Sequence, residues 1–272
     1  MIFMDNKILK AMGMAAVFGI TMQFVQPTNL VSQNASVIGM QSAEAGIFDG
    51  AIGALQGKAK KAAKDAVNHA LDINYDGLNS HRNDMIHHLA LAAGAYATSE
   101  YRIYDAVGQA DNSNAQNFIM LGNSLTSGSR DWGEICETTS VTPVDKIALK
   151  NALNNMMNSQ DKNAMEHAKN QMTWSKQDNA KAAFLCGLAL RDAAFLTNET
   201  AKGLKQAKNL EDVKSQLREY TDAVEQVKQI TAFINKNIKA RNDARREYDK
   251  KNNIKEPAKK DIEAQVKQMA AE

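Results

Sequence analysis

Residues 72–84, DINYDGLNSHRND, place Asp72, Asn74 and Asp76 on alternate positions directly ahead of Gly77. Side-chain oxygens at that spacing, closed by a glycine turn, suit a hard cation such as Ca2+. Leu78 would add a main-chain carbonyl, and Ser80 and Asp84 the outer oxygens. In the same stretch and just beyond it, His81, Asp84 and His88 fall at i, i+3 and i+7, on one face of a helix, with His87 three residues after Asp84. Imidazole and carboxylate on a shared face can bind zinc or iron. A di-iron bundle, however, needs a second carboxylate-x-x-His pair on another helix. The remaining histidines, His69 and His167, lie in no such pattern, which favours a solvated or capping role for the cluster.

The opening of 72–84 resembles the calcium loop of EF-hand and dockerin proteins, over these thirteen residues alone. Two departures matter. The twelfth position, where a bidentate Glu belongs, is Asn83 with Asp84 one residue late, and the eighth, normally apolar, is Asn79. The resemblance therefore implies a weak site, in the range of roughly 10⁻⁴ to 10⁻³ M. The same residues also suffice as turn chemistry, with Ser80 or Asn79 capping the following helix, and the missing twelfth ligand tilts the reading that way. Motifs for other chemistry are missing: there is no G-x-S-x-G, H-E-x-x-H, C-x-x-C, phosphate loop or dinucleotide fingerprint. Ser159 to Lys162 matches S-x-x-K formally but falls at a helix start and lacks its partner motifs. No catalytic residue is assigned, and the expectation is a protein that is not an enzyme.

The leader sets the compartment. Lys7 and Lys10 precede an apolar run at 11–25, too short to span a bilayer and of the length of a signal-peptide core, and Ala43-Glu44-Ala45 offers a cleavage site before Gly46. The expectation is export to the periplasm, envelope or exterior, with 1–45 removed after Ala45. The long spacer between the apolar core and that site leaves a retained anchor as the alternative. In an oxidising compartment the two cysteines, Cys136 and Cys186, are expected to form one bridge. Such a bridge closes a loop of about 50 residues and stabilises by roughly 4 kcal/mol.

Of 272 residues 44% are hydrophobic and only 6% aromatic, with Pro 3, a composition that leans towards helix. A net charge of +2 gives no field for specific nucleic-acid binding. Residues 46–70 carry an apolar stripe through Phe48, Ile52 and Leu55 with lysines largely off it. Their Gly-Ile-Phe start is similar to short membrane-active peptides, so peripheral membrane contact is one alternative, although an alanine face buries little in lipid. The basic run at 236–260 could likewise touch anionic polymers, or serve only as a solvated face.

A second helix is expected over 80–108, with small residues around Gly94 that permit close approach of another helix. Residues 109–142 read as a loop-rich insertion holding Trp132 beside Cys136, a candidate contact residue. Thr142-Pro143 reads as a helix start, followed by helices at 143–158, 162–173 and 177–205, the last a central element through the apolar run 180–196. From Asn209 onward Leu210, Val213, Leu217, Tyr220, Val224, Val227, Thr231, Ile234 and Ile238 form a heptad seam that could also pair two chains through 210–238. Pro257 opens a final helix, 257–272, expected to be loosely held.

Together these readings predict an all-α elongated helical bundle over 46–272, with one long C-terminal heptad-patterned helix. The expected role is that of an exported interaction or scaffold protein contacting a protein or envelope partner. The alternatives are a weak calcium-responsive module at 72–84 or a membrane-surface-active protein. No cofactor is expected beyond Ca2+.

Overall fold

A computed structural model describes residues 75–206 and 210–270. The expected leader, its cleavage site, the amphipathic stretch at 46–70, and Asp72 and Asn74 lie outside the described residues. Among those described there are seven helices and no strand: α1 Tyr75–Ala106, α2 Ser113–Thr126, α3 Trp132–Glu137, α4 Lys146–Met157, α5 Lys162–Gln206, α6 Leu210–Lys251 and α7 Lys259–Met269. The fold is an all-α bundle. Its frame is α1 laid along α5, with α6 against both, α2 across α1, α4 on α6 and α7 on α5.

The long C-terminal heptad-patterned helix is α6, of 42 residues, and a second long helix, α5, packs against it. The expected break between 173 and 177 is absent, and α5 continues for 45 residues, about 67 Å at 1.5 Å per residue. Ser175, in the expected gap between those two helices, is instead helical and buried and links helices: its hydroxyl lies 2.9 Å from that of Ser99 on α1. The apolar run of α5 is central as expected, with Ala182, Leu185, Cys186, Ala189 and Leu196 fully or almost fully buried. The heptad seam of α6 is also buried, from Leu217 through Ile238. It packs within the chain, so a dimer through 210–238 would have to use the outward residues of that helix.

The 109–142 region is not a loop. Asn112 caps α2 by accepting from the Asn114 backbone N–H, and Ala115, Phe118, Leu121, Gly122 and Leu125 are buried at helical spacing. Its glycine and serine content signals something other than flexibility. A Cβ on Gly94 would stand 2.9 Å from that of Leu125, and one on Gly122 would stand 3.1 Å from the Thr98 backbone nitrogen. The two glycines therefore let α1 and α2 touch backbone to backbone, the close approach expected around Gly94. The true turns are at Gly108 and Gly128, with φ of 73° and 101°. Asp131 caps α3 through the Glu134 N–H, and the Glu134 carboxylate accepts from the hydroxyls of Ser124 and Ser129.

Two termini also differ from expectation. Asp145, not Thr142, caps α4, accepting from Ile147 and Ala148 N–H at 2.9 Å each. The Thr142 carbonyl instead receives the Tyr104 hydroxyl at 2.8 Å, which ties the lead-in to α4 against α1. At the other end the chain reverses through Asn253, at φ 55°, a conformation asparagine tolerates. The following α7 is docked, not loose: Ile262 and Val266 are 3% and 2% exposed. Tyr96 joins three helices at the centre, meeting Phe118 of α2 and Phe233 of α6 edge-on at 6.1 Å.

Candidate functional site

The described part of the calcium-like stretch is helical, while Asp72 and Asn74 lie outside the described residues. Helix α1 already begins at Tyr75, so Asp76, Leu78, Ser80 and Asp84 sit on helical turns and cannot wrap a cation as a twelve-residue loop does. Leu78 is fully buried, and in a helix its carbonyl is directed to the next turn. The Asn79 side chain accepts from the Tyr220 hydroxyl at 2.7 Å, a link between α1 and α6.

The histidine face of α1 does converge on something, but not on Asp84, which is exposed. Its partner is Asp192, 1% exposed at the α1–α5 contact. His88 Nδ1 lies 3.0 Å from Asp192 Oδ2 and His81 Nδ1 3.4 Å from Oδ1, while the Arg191 guanidinium approaches Oδ1 at 3.1 Å. His81 also stacks on Phe195, with ring centroids 3.7 Å apart. Burial pushes the Asp192 carboxyl up, but the hydrogen bond from His88 and the charge of Arg191 outweigh it and hold the group below its usual range.

A transition metal does not fit between the two imidazoles. His81 and His88 stand seven residues apart, a rise of about 10.5 Å along the helix, and each directs Nδ1 to Asp192 rather than to Asp84. The carboxylate instead straddles the gap, one oxygen for each ring. Among the described residues no group of three His, Cys, Asp or Glu side chains could hold a metal ion. The arrangement ties α1 to α5 and leaves each Nε2 free of the carboxylate.

His87, on the neighbouring face, has both ring nitrogens buried without a hydrogen-bond partner. The Ala270 carbonyl approaches the ring without proper hydrogen-bond geometry and raises its pKa. Burial first, then Arg130 and His88, lower it more, and the net shift is downward from the ordinary histidine value.

The expected disulfide is not formed: Cys136 and Cys186 are both free thiols. Cys136 rides on α3, which packs on α2 and α1, whereas Cys186 lies in the buried run of α5. Burial pushes the Cys186 thiol up to about 12 and raises Cys136 as well, so neither is an activated nucleophile. Trp132 opens α3 half-buried, and beside it lies a cleft of about 230 Å³ also lined by Arg82, Ile86, Arg130, Glu219 and Asp222. This brings the sequence-marked tryptophan together with α1 and α6, a juxtaposition that no local pattern encodes.

The groups that sequence reasoning missed are the buried ion pairs. Arg241 Nε donates to both oxygens of Glu100 at 3.0 and 3.2 Å, with side-chain exposures of 3% and 0%. Arg245, fully buried, donates to both oxygens of Asp249, approaches the Ser175 hydroxyl and donates to the Met172 carbonyl. Lys176 joins Asp249 to Glu256 at 2.9 Å each. The one signal available was a charge on an otherwise apolar helical face, as with Asp192 inside 180–196. No family model matches the chain, and neither a curated protein nor a solved structure matches it.

Proposed function

We propose that this chain is an exported, non-catalytic helical interaction or scaffold protein of the cell envelope or extracellular space, contacting a protein or envelope partner through its outer helix faces. The observation that carries this reading is where the buried charges go. Glu100, Lys176, Asp178, Asp192, Arg241, Arg245 and Asp249 are the buried charged residues described, and each is engaged by an oppositely charged or imidazole partner within the bundle. Groups bound in this way stiffen the helix contacts and are poorly placed to exchange protons with a substrate. Meanwhile Met120, Ile147 and Trp174 stand 60%, 71% and 45% exposed on three different helices, apolar points available for contact. The leader at 1–45 supports the compartment.

The test is in-cell crosslinking of the full chain with envelope fractionation. The expected result is enrichment outside the cytosol and a discrete crosslinked product that is lost when Trp174 and Ile147 are replaced by serine. A monomer recovered from the cytosol with no crosslinked product would overturn the reading.

A further inference from the structure

The cleft beside Trp132 sets two guanidinium groups, of Arg82 and Arg130, and two carboxylates, of Glu219 and Asp222, around one space. Arg82 Nε is buried with no hydrogen-bond partner, and its Nη1 reaches Glu219 only at 3.6 Å, beyond hydrogen-bond length. Arg130, across the cleft, is exposed and has no ion pair or hydrogen bond among the described residues. A buried donor left unmade is costly, and two guanidinium groups facing one cleft match the planar geometry of a carboxylate. The floor is apolar, from Ile86 and the half-buried Trp132. The α6 wall carries the carboxylates of Glu219 and Asp222, both exposed, with Arg218 of the same helix 3.5 Å from Asp222 on the solvent side. That wall repels a multiply charged anion such as phosphate and favours a ligand that carries an ammonium as well as a carboxylate.

We infer that the cleft between α1, α6 and the start of α3 binds a small zwitterion with an apolar side group: an α-amino acid of leucine type, or a short peptide of such residues. The carboxylate meets Arg82 and Arg130, the ammonium meets Glu219 and Asp222, and the side group lies on Ile86 and Trp132. The volume of about 230 Å³ suits a ligand of that size. This goes beyond the scaffold role and does not depend on it, since a scaffold with an empty cleft would still crosslink to its partner.

The test uses the full chain carrying Trp174→Phe, which leaves Trp132 as the only tryptophan in the sequence. Leucine and leucyl-leucine are titrated while indole emission is followed, in the millimolar range expected of ligands with about nine to seventeen heavy atoms. The expected result is saturable change with at least one of them, the stronger response telling free amino acid from peptide. Leucinamide, which lacks the carboxylate, and 4-methylpentanoate, which lacks the ammonium, should each bind at least about tenfold more weakly. Arg130→Ala should weaken binding by a similar factor with little change in melting temperature, because the exposed Arg130 side chain makes no hydrogen bond or ion pair among the described residues and its one described influence, on His87, is repulsive. No saturable change with either zwitterion, equal binding of leucinamide, or unaltered binding by Arg130→Ala would each overturn the inference.

Discussion

Replacing Glu100 by leucine should destabilise the protein more than replacing Arg241 by methionine, and making both changes together should restore most of the loss. The reasoning starts from burial. The two side chains are 0% and 3% exposed, and Arg241 Nε holds both carboxylate oxygens at 3.0 and 3.2 Å. Removing one partner of such a pair leaves a buried charge uncompensated, which costs about 3–5 kcal/mol. The two residues can escape that cost to different degrees. Burial already pushes the Glu100 carboxyl up, against the opposing charge and hydrogen bond of Arg241, so a glutamate that loses its partner can take a proton. A guanidinium cannot shed one. Arg241→Met should therefore sit near the lower bound, about 3 kcal/mol, and Glu100→Leu nearer about 5 kcal/mol. With both replaced by apolar groups no charge remains to desolvate, and stability should return to within about 1 kcal/mol of the parent.

Urea unfolding of the four proteins measures this cycle directly. The pH sign is also fixed. A carboxyl whose folded pKa lies above its unfolded value contributes stability that is present below the unfolded value and lost as pH rises through the folded one. The parent should therefore gain on the double variant as pH falls towards the ordinary glutamate value. A cost below about 1 kcal/mol for Glu100→Leu, or a double variant as unstable as the sum of the singles, would refute the reasoning.

Gly94→Ala should cost about 1–3 kcal/mol, because the new Cβ meets the Leu125 Cβ and the Thr126 backbone nitrogen, and more than Gly108→Ala, which adds only the strain of a positive φ in open space; thermal melts rank the two. Under native conditions alkylation should label Cys136 well before Cys186, and intact mass under non-reducing conditions should show two free thiols; a mass lower by two hydrogens would contradict the structure. His87 has a lowered folded pKa, so its contribution is present above the ordinary histidine value and lost as pH falls below it. Stability should accordingly decline less steeply in His87→Gln than in the parent between about pH 7 and about pH 5, read by chemical unfolding at each pH.

Much of the helical architecture was readable along the chain, and its misreadings share one cause. Gly122, with the serines around it, suggests a loop until α2 is seen crossing α1 at Gly94, where only a missing side chain allows contact. Ser175 falls in an expected gap between helices until its hydroxyl is seen beside Ser99. In both cases a residue type that usually marks irregular backbone is used for an interhelical contact, and propensity yields to packing. The described part of the calcium-like stretch, from Tyr75 onward, differs from a loop for another reason. Asp76-Gly77 has turn chemistry, but Leu78, Met85 and Leu89 lie on one buried face and draw the segment into a helix.

By itself the sequence determined that the chain is helical and which faces are buried, as the seam from Leu217 to Ile238 and the run 180–196 attest, because periodicity is a local property of residues three and four apart. Only the tertiary structure decided which charged groups meet. His88 and Asp192 are 104 residues apart and Glu100 and Arg241 are 141 apart, and each pair exists because helices converge there, α1 on α5 at the first and α1 on α6 about 18 Å further along at the second. The same convergence separates Cys136 from Cys186 and brings Trp132 to Arg82. Such meetings depend on the relative rotation and register of whole helices, which no single helix encodes.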